Sequence, residues 1–139
     1  MLQMQSVINC ADNSGAVLLR CISVLGNSRR KYAYVGDIVT VSVISIASRK
    51  AVSNLKVQKG QVYKAVIVRT KSTFCREDGS MVSAGSNAAV LVNKRKRHPQ
   101  SDKCDYELYG TRVFGPVFRE TKRLRGDFMR ILSLAVEVV

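Results

Sequence analysis

The 139-residue, 15.4 kDa chain carries 23 Lys and Arg against 10 Asp and Glu, a net charge of +13, with 46% hydrophobic residues. That suits one folded domain with a core of its own, and the charge exceeds what solubility requires, so a polyanionic partner is expected. No apolar run approaches the ~20 residues needed to span a bilayer and the N-terminus lacks a secretory pattern, so neither a membrane partner nor secretion is expected.

In chain order, Gln5 to Cys10, Ala16 to Val24 and Asp37 to Ile46 read as strands rich in β-branched residues, separated by the turn Asp12-Asn13-Ser14-Gly15 and by a polar loop through Gly26-Asn27-Ser28. In the third, Val39, Val41 and Val43 alternate with Thr40 and Ser42, which predicts one buried and one wetter face. Lys59-Gly60 turns the chain into a fourth strand built on Ala65 to Val68, and Asp78-Gly79 with Gly85-Ser86 turn it into a fifth, Ala88 to Val92. Five short-linked strands predict a mainly β fold, a small closed barrel over about residues 1–92. Asp12, Asp37, Asp78 and Asp127 each lie beside or near a glycine and read as architectural turn or cap residues.

After the fifth strand the character changes. Residues 93–109 form a polar, aperiodic insert that reads as an extended or partly disordered loop, ordering on a partner. Within residues 110–139, Gly115-Pro116 is expected to start a short helix. Asp127 is expected to cap another, in which Phe128, Ile131, Leu132 and Ala135 recur at helical spacing.

Catalytic and metal chemistry find little support. Cys10, Cys21, Cys75 and Cys104 show no C-x-x-C pairing, and His98, the single histidine, sits in a basic run without an orienting carboxylate. No metal, cofactor or enzyme activity is expected, and residues 12–16 lack the ending of a phosphate-binding loop.

The basic clusters are the positive evidence. Arg29-Arg30-Lys31 precedes Tyr32 and Tyr34, whose rings either stack on bases or sit at the barrel rim. Arg69 and Lys71 extend the fourth strand, and Lys94, Arg95, Lys96 and Arg97 follow the fifth. A run without acids from Ile38 to Arg76 includes Lys59, Arg69, Lys71 and Arg76. On a sheet these cations keep a fixed spacing, which suits folded nucleic acid.

Several motifs, in order, resemble one family. Ala65-Val-Ile-Val, nine residues, Asp78-Gly79, then Asn87 and Val90-Leu91 is similar to the signature of universal large-subunit ribosomal protein fourteen, and Gly110-Thr-Arg-Val-Phe-Gly-Pro-Val to its C-terminal hallmark. Ala11-Asp-Asn-Ser-Gly-Ala, Val35-Gly-Asp, Lys59-Gly60, Val68-Arg-Thr-Lys and the ending Phe128 to Ala135 match as well. The resemblance implies a five-stranded barrel with a projecting β-ribbon and short C-terminal helices. It further implies binding to large-subunit ribosomal RNA at the intersubunit face, bridges to small-subunit RNA, neighbouring proteins of the nineteen and three types, and a landing site for a subunit anti-association factor. Arg112 becomes an RNA-binding candidate through the hallmark motif.

Two departures stand out. Ala84 occupies a position where the family usually has an aromatic residue, so packing under residues 80–87 is expected to differ. The 93–109 insert is longer than in bacterial members, which points to a mitochondrial, fungal-like protein of the matrix, with a bacterial cytoplasmic member as the alternative. On physics alone the competing reading is a free-standing barrel for single-stranded RNA, but the scatter of five Tyr and four Phe along the chain argues against its stacking platform.

Overall fold

In the computed structural model, residues 1–26, 29–48, 57–94, 106–123 and 129–139 are described. The elements are β1 (Leu2–Gln3), β2 (Val7–Cys10), β3 (Ala16–Val24), β4 (Tyr32–Ala33), β5 (Ile38–Ile46), β6 (Val62–Arg69), β7 (Phe74–Cys75), β8 (Met81–Val82), β9 (Ala88–Lys94), β10 (Tyr106–Leu108) and β11 (Val113–Val117). A 3-10 turn (Arg119–Arg123), α1 (Met129–Leu134) and β12 (Ala135–Val138) follow.

One sheet runs β10-β9-β2-β3-β5-β6, and β6 pairs back onto β9, so β9, β2, β3, β5 and β6 close into a five-stranded barrel. Closure leaves these valine-rich strands without long open edges. The expected alternation in β5 is present: Val39, Val41 and Val43 are buried while Thr40 and Ser42 are half-exposed.

β6 and β9 obey a different rule, because their apolar runs are unbroken. Ala65, Ile67, Ala89 and Leu91 fill the barrel interior with Ile8, Leu19 and Val41. Val66, Val68, Ala88, Val90 and Val92 face the other way, into a second cluster with Val113, Val117 and Ile131. A strand covered on both faces has no use for polar alternation.

The cover is where the structure departs from expectation. Gly115-Pro116 does not start a helix. It lies inside β11, whose parallel ladder with β12 shifts register between Val113 and Pro116, an irregularity that accommodates a residue with no N–H to give. The C-terminal helix ends at Leu134, and Ala135, expected within it, opens β12. Asp127 and Phe128 lie outside the described residues. So does the middle of the 93–109 insert, but its two ends are strands rather than loop: Tyr106 pairs with Lys94 and Leu108 with Val92, forming a β-ribbon that prolongs the barrel wall. The strand expected over Gln5 to Cys10 starts instead at Val7, as β2; Gln5 has a positive φ of 70° and separates it from the short β1. Beneath the second hairpin, Ala84 packs against the barrel core and its N–H donates to the Thr70 carbonyl at 3.0 Å.

The Asp12-Asn13 turn locks both parts together. Asp12 is buried; its Oδ1 accepts from the Ser14 N–H (2.9 Å) and its Oδ2 from the Leu91 N–H (2.8 Å). Asn13 Oδ1 accepts from the N–H groups of Thr111 (2.7 Å) and Arg112 (3.2 Å), and its Nδ2 donates to Thr111 Oγ1 at 2.9 Å. A Cβ at Gly110 would lie 2.8 Å from both Asn13 Oδ1 and Asp12 Cβ, so only glycine allows this approach.

Denaturant titration is expected to show Leu91→Ala losing about 2–5 kcal/mol of stability through cavity formation. In the same assay, Gly110→Ala loses about 1–3 kcal/mol by forcing Asn13 away.

Candidate nucleic-acid interface

Strand register sorts the candidate cations into two groups. Val24 pairs with Val39, Ile38 with Val66, and Arg69 with Ala88, so the 25–37 loop, Arg69 and the 70–87 hairpin share one end of the barrel. Arg29, Arg30, Lys31, Arg69, Lys71 and Arg76 fall there. At the other end, Ala16 pairs with Ile46 and Ser42 with Val62, bringing together the Asp12-Asn13 turn, the approach to β6 and the β9–β10 ribbon. Lys59, Lys94 and Arg112 belong to that end. At ~3.3 Å per residue the nine-residue β5 (Ile38–Ile46) keeps the groups roughly 25 Å apart along the wall. Arg95, Lys96 and Arg97 lie outside the described residues.

Within each group the side chains differ in what they are free to do. Arg29, Lys31, Lys59, Lys71 and Arg112 are exposed. Among the described residues Lys71 is held by its backbone alone, its N–H donating to Asn87 Oδ1 at 2.8 Å, and its ammonium meets no acceptor there.

Arg69 is committed inward. Its Nη1 donates to the carbonyls of Phe114 (2.8 Å) and Pro116 (3.3 Å), tying the end of β6 to β11, and burial pulls its pKa down from the ordinary value. Arg76 is committed further. Its Nε donates to Glu120 Oε1 at 2.5 Å, its Nη2 to Glu120 Oε2 at 3.2 Å and to the Val139 carbonyl at 2.8 Å. The Arg76 and Glu120 side chains keep only 12% and 11% of their surface exposed. Burial, the largest single influence, would raise the Glu120 carboxyl, but the hydrogen bonds from Arg76, a backbone hydrogen bond and the charges of Arg76 and Arg119 together outweigh it and hold the pKa below its ordinary value. Nothing in the sequence pairs residues 76 and 120.

Arg30 stands between these cases. It is partly exposed, its Nε donates to the Tyr32 carbonyl at 3.3 Å, and its Nη2 forms an ion pair with Asp37 Oδ2. The Tyr34 N–H donates to the same carboxylate oxygen at 2.7 Å, which folds residues 30–37 back on themselves. Asp78 accepts from the N–H (2.9 Å) and hydroxyl (2.6 Å) of Ser80, and these bonds lower its pKa. The architectural reading of Asp12, Asp37 and Asp78 thus holds.

The cysteines divide. Cys21 is buried and Cys10 largely so, with burial pushing the Cys10 thiol up to about 12, whereas Cys75 is exposed. Among the described residues no group of three or more His, Cys, Asp or Glu could hold a metal ion.

A closed barrel with free cations at both ends and a hallmark loop pinned by Asn13 fits the resemblance noted in the sequence. The whole chain, residues 1–139, matches the family described as Ribosomal protein L14p/L23e. The chain belongs to this family. It is therefore a ribosomal protein of the large subunit, from a family of structural components. Ribosomal RNA and ribosomal proteins are the partners that membership implies. In this family member the hallmark Gly110-Thr111-Arg112 does two things: Gly110 and Thr111 seat the C-terminal segment on the barrel, while the Arg112 side chain stays exposed.

Arg76→Ala is expected to lower stability by about 3–5 kcal/mol, because it strands a largely buried carboxylate. The Glu120 contribution is present above its ordinary value of 4.5 and lost as pH falls through the lower folded value. Stability measured against pH is therefore expected to fall off below about pH 4.5 in the native chain, and to run flatter there in Glu120→Gln.

Proposed function

We propose that this protein is a structural RNA-binding constituent of the large ribosomal subunit, seated on large-subunit ribosomal RNA at the intersubunit face. What carries this reading is the separation of free cations at two ends of one rigid barrel. Arg29, Lys31 and Lys71 serve one end, with the Asp37-paired Arg30 beside them, and Lys59 and Arg112 the other, and both ends engage phosphates of a folded RNA; Lys94 to Arg97, candidates from the sequence, add further phosphate contacts. Arg69 and Arg76, also RNA candidates from their place in the sequence, contribute mainly by holding the C-terminal segment in place. The mechanism is electrostatic and geometric. Arg and Lys neutralise phosphates and release counterions, and the fixed spacing on the barrel selects an RNA shape rather than a base sequence. The protein performs no chemistry of its own.

Within the subunit it contributes to bridges with small-subunit RNA, packs beside proteins of the nineteen and three types, and offers a surface to an anti-association factor. The long 93–109 insert favours a mitochondrial matrix ribosome over a bacterial cytoplasmic one, with the insert reaching RNA or protein peculiar to that lineage.

The tagged protein, sedimented from separated mitochondrial and cytosolic lysates, is expected to co-migrate with the mitochondrial large subunit and to leave it on ribonuclease treatment. A slow, free peak insensitive to ribonuclease overturns the reading. In filter binding, Arg29→Ala with Lys31→Ala is expected to reduce the slope of log affinity against log salt by about 1.4–1.8, the counterions of two phosphates.

A further inference from the structure

Tyr34 borders a cleft at the Arg29–Lys31 end of the barrel. The strand-like alternation from Tyr32 to Tyr34 is sharp: Ala33 is 0% exposed, while Tyr32 and Tyr34 are 42% and 45% exposed. Both rings therefore stand on the outer side of a segment whose middle residue is anchored in the core. Among the described residues the Tyr34 hydroxyl has no protein partner.

An open cleft of about 350 Å³ is lined by Tyr34, Phe74 and the Val35-Gly36 segment. Tyr34 and Phe74 are forty residues apart in sequence, and the β6–β9 connection brings them to one site. Gly36 is needed here: it has φ +87°, and a Cβ would come within 3.0 Å of the Glu120 carbonyl. The polar groups of the cleft are the Arg30–Asp37 pair and Glu120. Both Glu120 oxygens serve Arg76. Asp37 is different: Oδ2 takes both Arg30 and the Tyr34 N–H, and among the described residues Oδ1 accepts nothing.

The walls are rigid. The Gly36 N–H donates to the Ile67 carbonyl (2.8 Å), the Ile67 N–H to the Asp37 carbonyl (3.1 Å), and Ala33 pairs with Leu2. Two aromatic residues in the lining, one carboxylate acceptor and cations at the same end of the barrel suit a flat, uncharged ring carrying an N–H donor and attached to a phosphate. An aliphatic side chain would leave the carboxylate unanswered, and a free anion would meet it directly.

We propose that this cleft receives one unpaired nucleobase of the bound RNA, stacked against Tyr34 and Phe74, with its exocyclic amino group donating to Asp37 Oδ1. Arg29 and Lys31 hold the flanking phosphates. The proposal rests on the RNA-binding reading above and adds a base-specific contact to it. A base-stacking aromatic confers affinity whatever the base, whereas the carboxylate acceptor favours adenine, cytosine or guanine over uracil.

The test is the density map of the native large subunit containing the full chain, together with filter binding of the purified chain to large-subunit RNA. An extrahelical, amino-bearing base in the cleft is expected. So is a loss of about tenfold in affinity for Tyr34→Ala, within the range for one stacked base, with Tyr34→Phe close to the native chain. Phe74→Leu keeps an apolar side chain and is expected to lose affinity as well; a melting curve matching the native one shows that each variant is folded. A cleft filled by a protein side chain or solvent, with Tyr34→Ala binding as tightly as the native chain, overturns the cleft proposal and leaves the RNA reading standing. Failure of the native chain to bind large-subunit RNA overturns both.

Discussion

Everything in this molecule depends on two adjacent strands being covered on both faces. The β6–β9 ladder closes the barrel, its inner side chains fill the interior, and its outer side chains form the floor on which the C-terminal segment packs. Take away the cover and Val66, Val68, Val90 and Val92 become an apolar patch on a chain of net charge +13. Take away the closure and both clusters lose their wall. The hydrogen bonds of Asp12, Asn13, Arg69 and Arg76 converge on the same junction. From four directions they fix where the cover sits.

This junction explains why cationic residues of the same type do different work. An arginine beside carbonyls or a largely buried glutamate spends part of its fork of donors within the protein, whereas the Lys71 ammonium at its turn meets no acceptor among the described residues. Composition gives the total charge of +13, but the fold decides how much of it reaches solvent and where. The result is a barrel with exposed cations at both ends and Arg20 on the wall between them.

The barrel strands were legible because their signals are local: β-branched runs, a period of two in β5, and glycine turns at 60 and 79. The unbroken runs of β6 and β9 marked double burial, though not what would cover them. The cover itself was misread at Gly115-Pro116, where local chemistry permits a helix start but the ladder with β12, twenty residues on, imposes a strand. The ribbon ends at Lys94 and Tyr106 were missed for a similar reason, since their polar side chains look like loop while the backbone simply continues the wall. For the candidate interface, Arg29, Lys31 and Lys71 were legible as free cations. The pairing of Arg76 with Glu120 and the meeting of Tyr34 with Phe74 were not, because separations of forty residues or so leave no periodic trace. The aromatic residues were scattered in sequence, yet two of them share one cleft.

The parallel pairing of β11 with β12 has a consequence in time. Translation delivers the β6 and β9 strands before the segment that shelters their outer face. At ~5–20 residues per second the stretch beyond Val92 takes a few seconds to appear. During that interval a nascent chain can close its barrel but must hold a valine-lined flank open to its surroundings. Speed of synthesis and early capture by a chaperone or by RNA thus become part of how safely the protein is made.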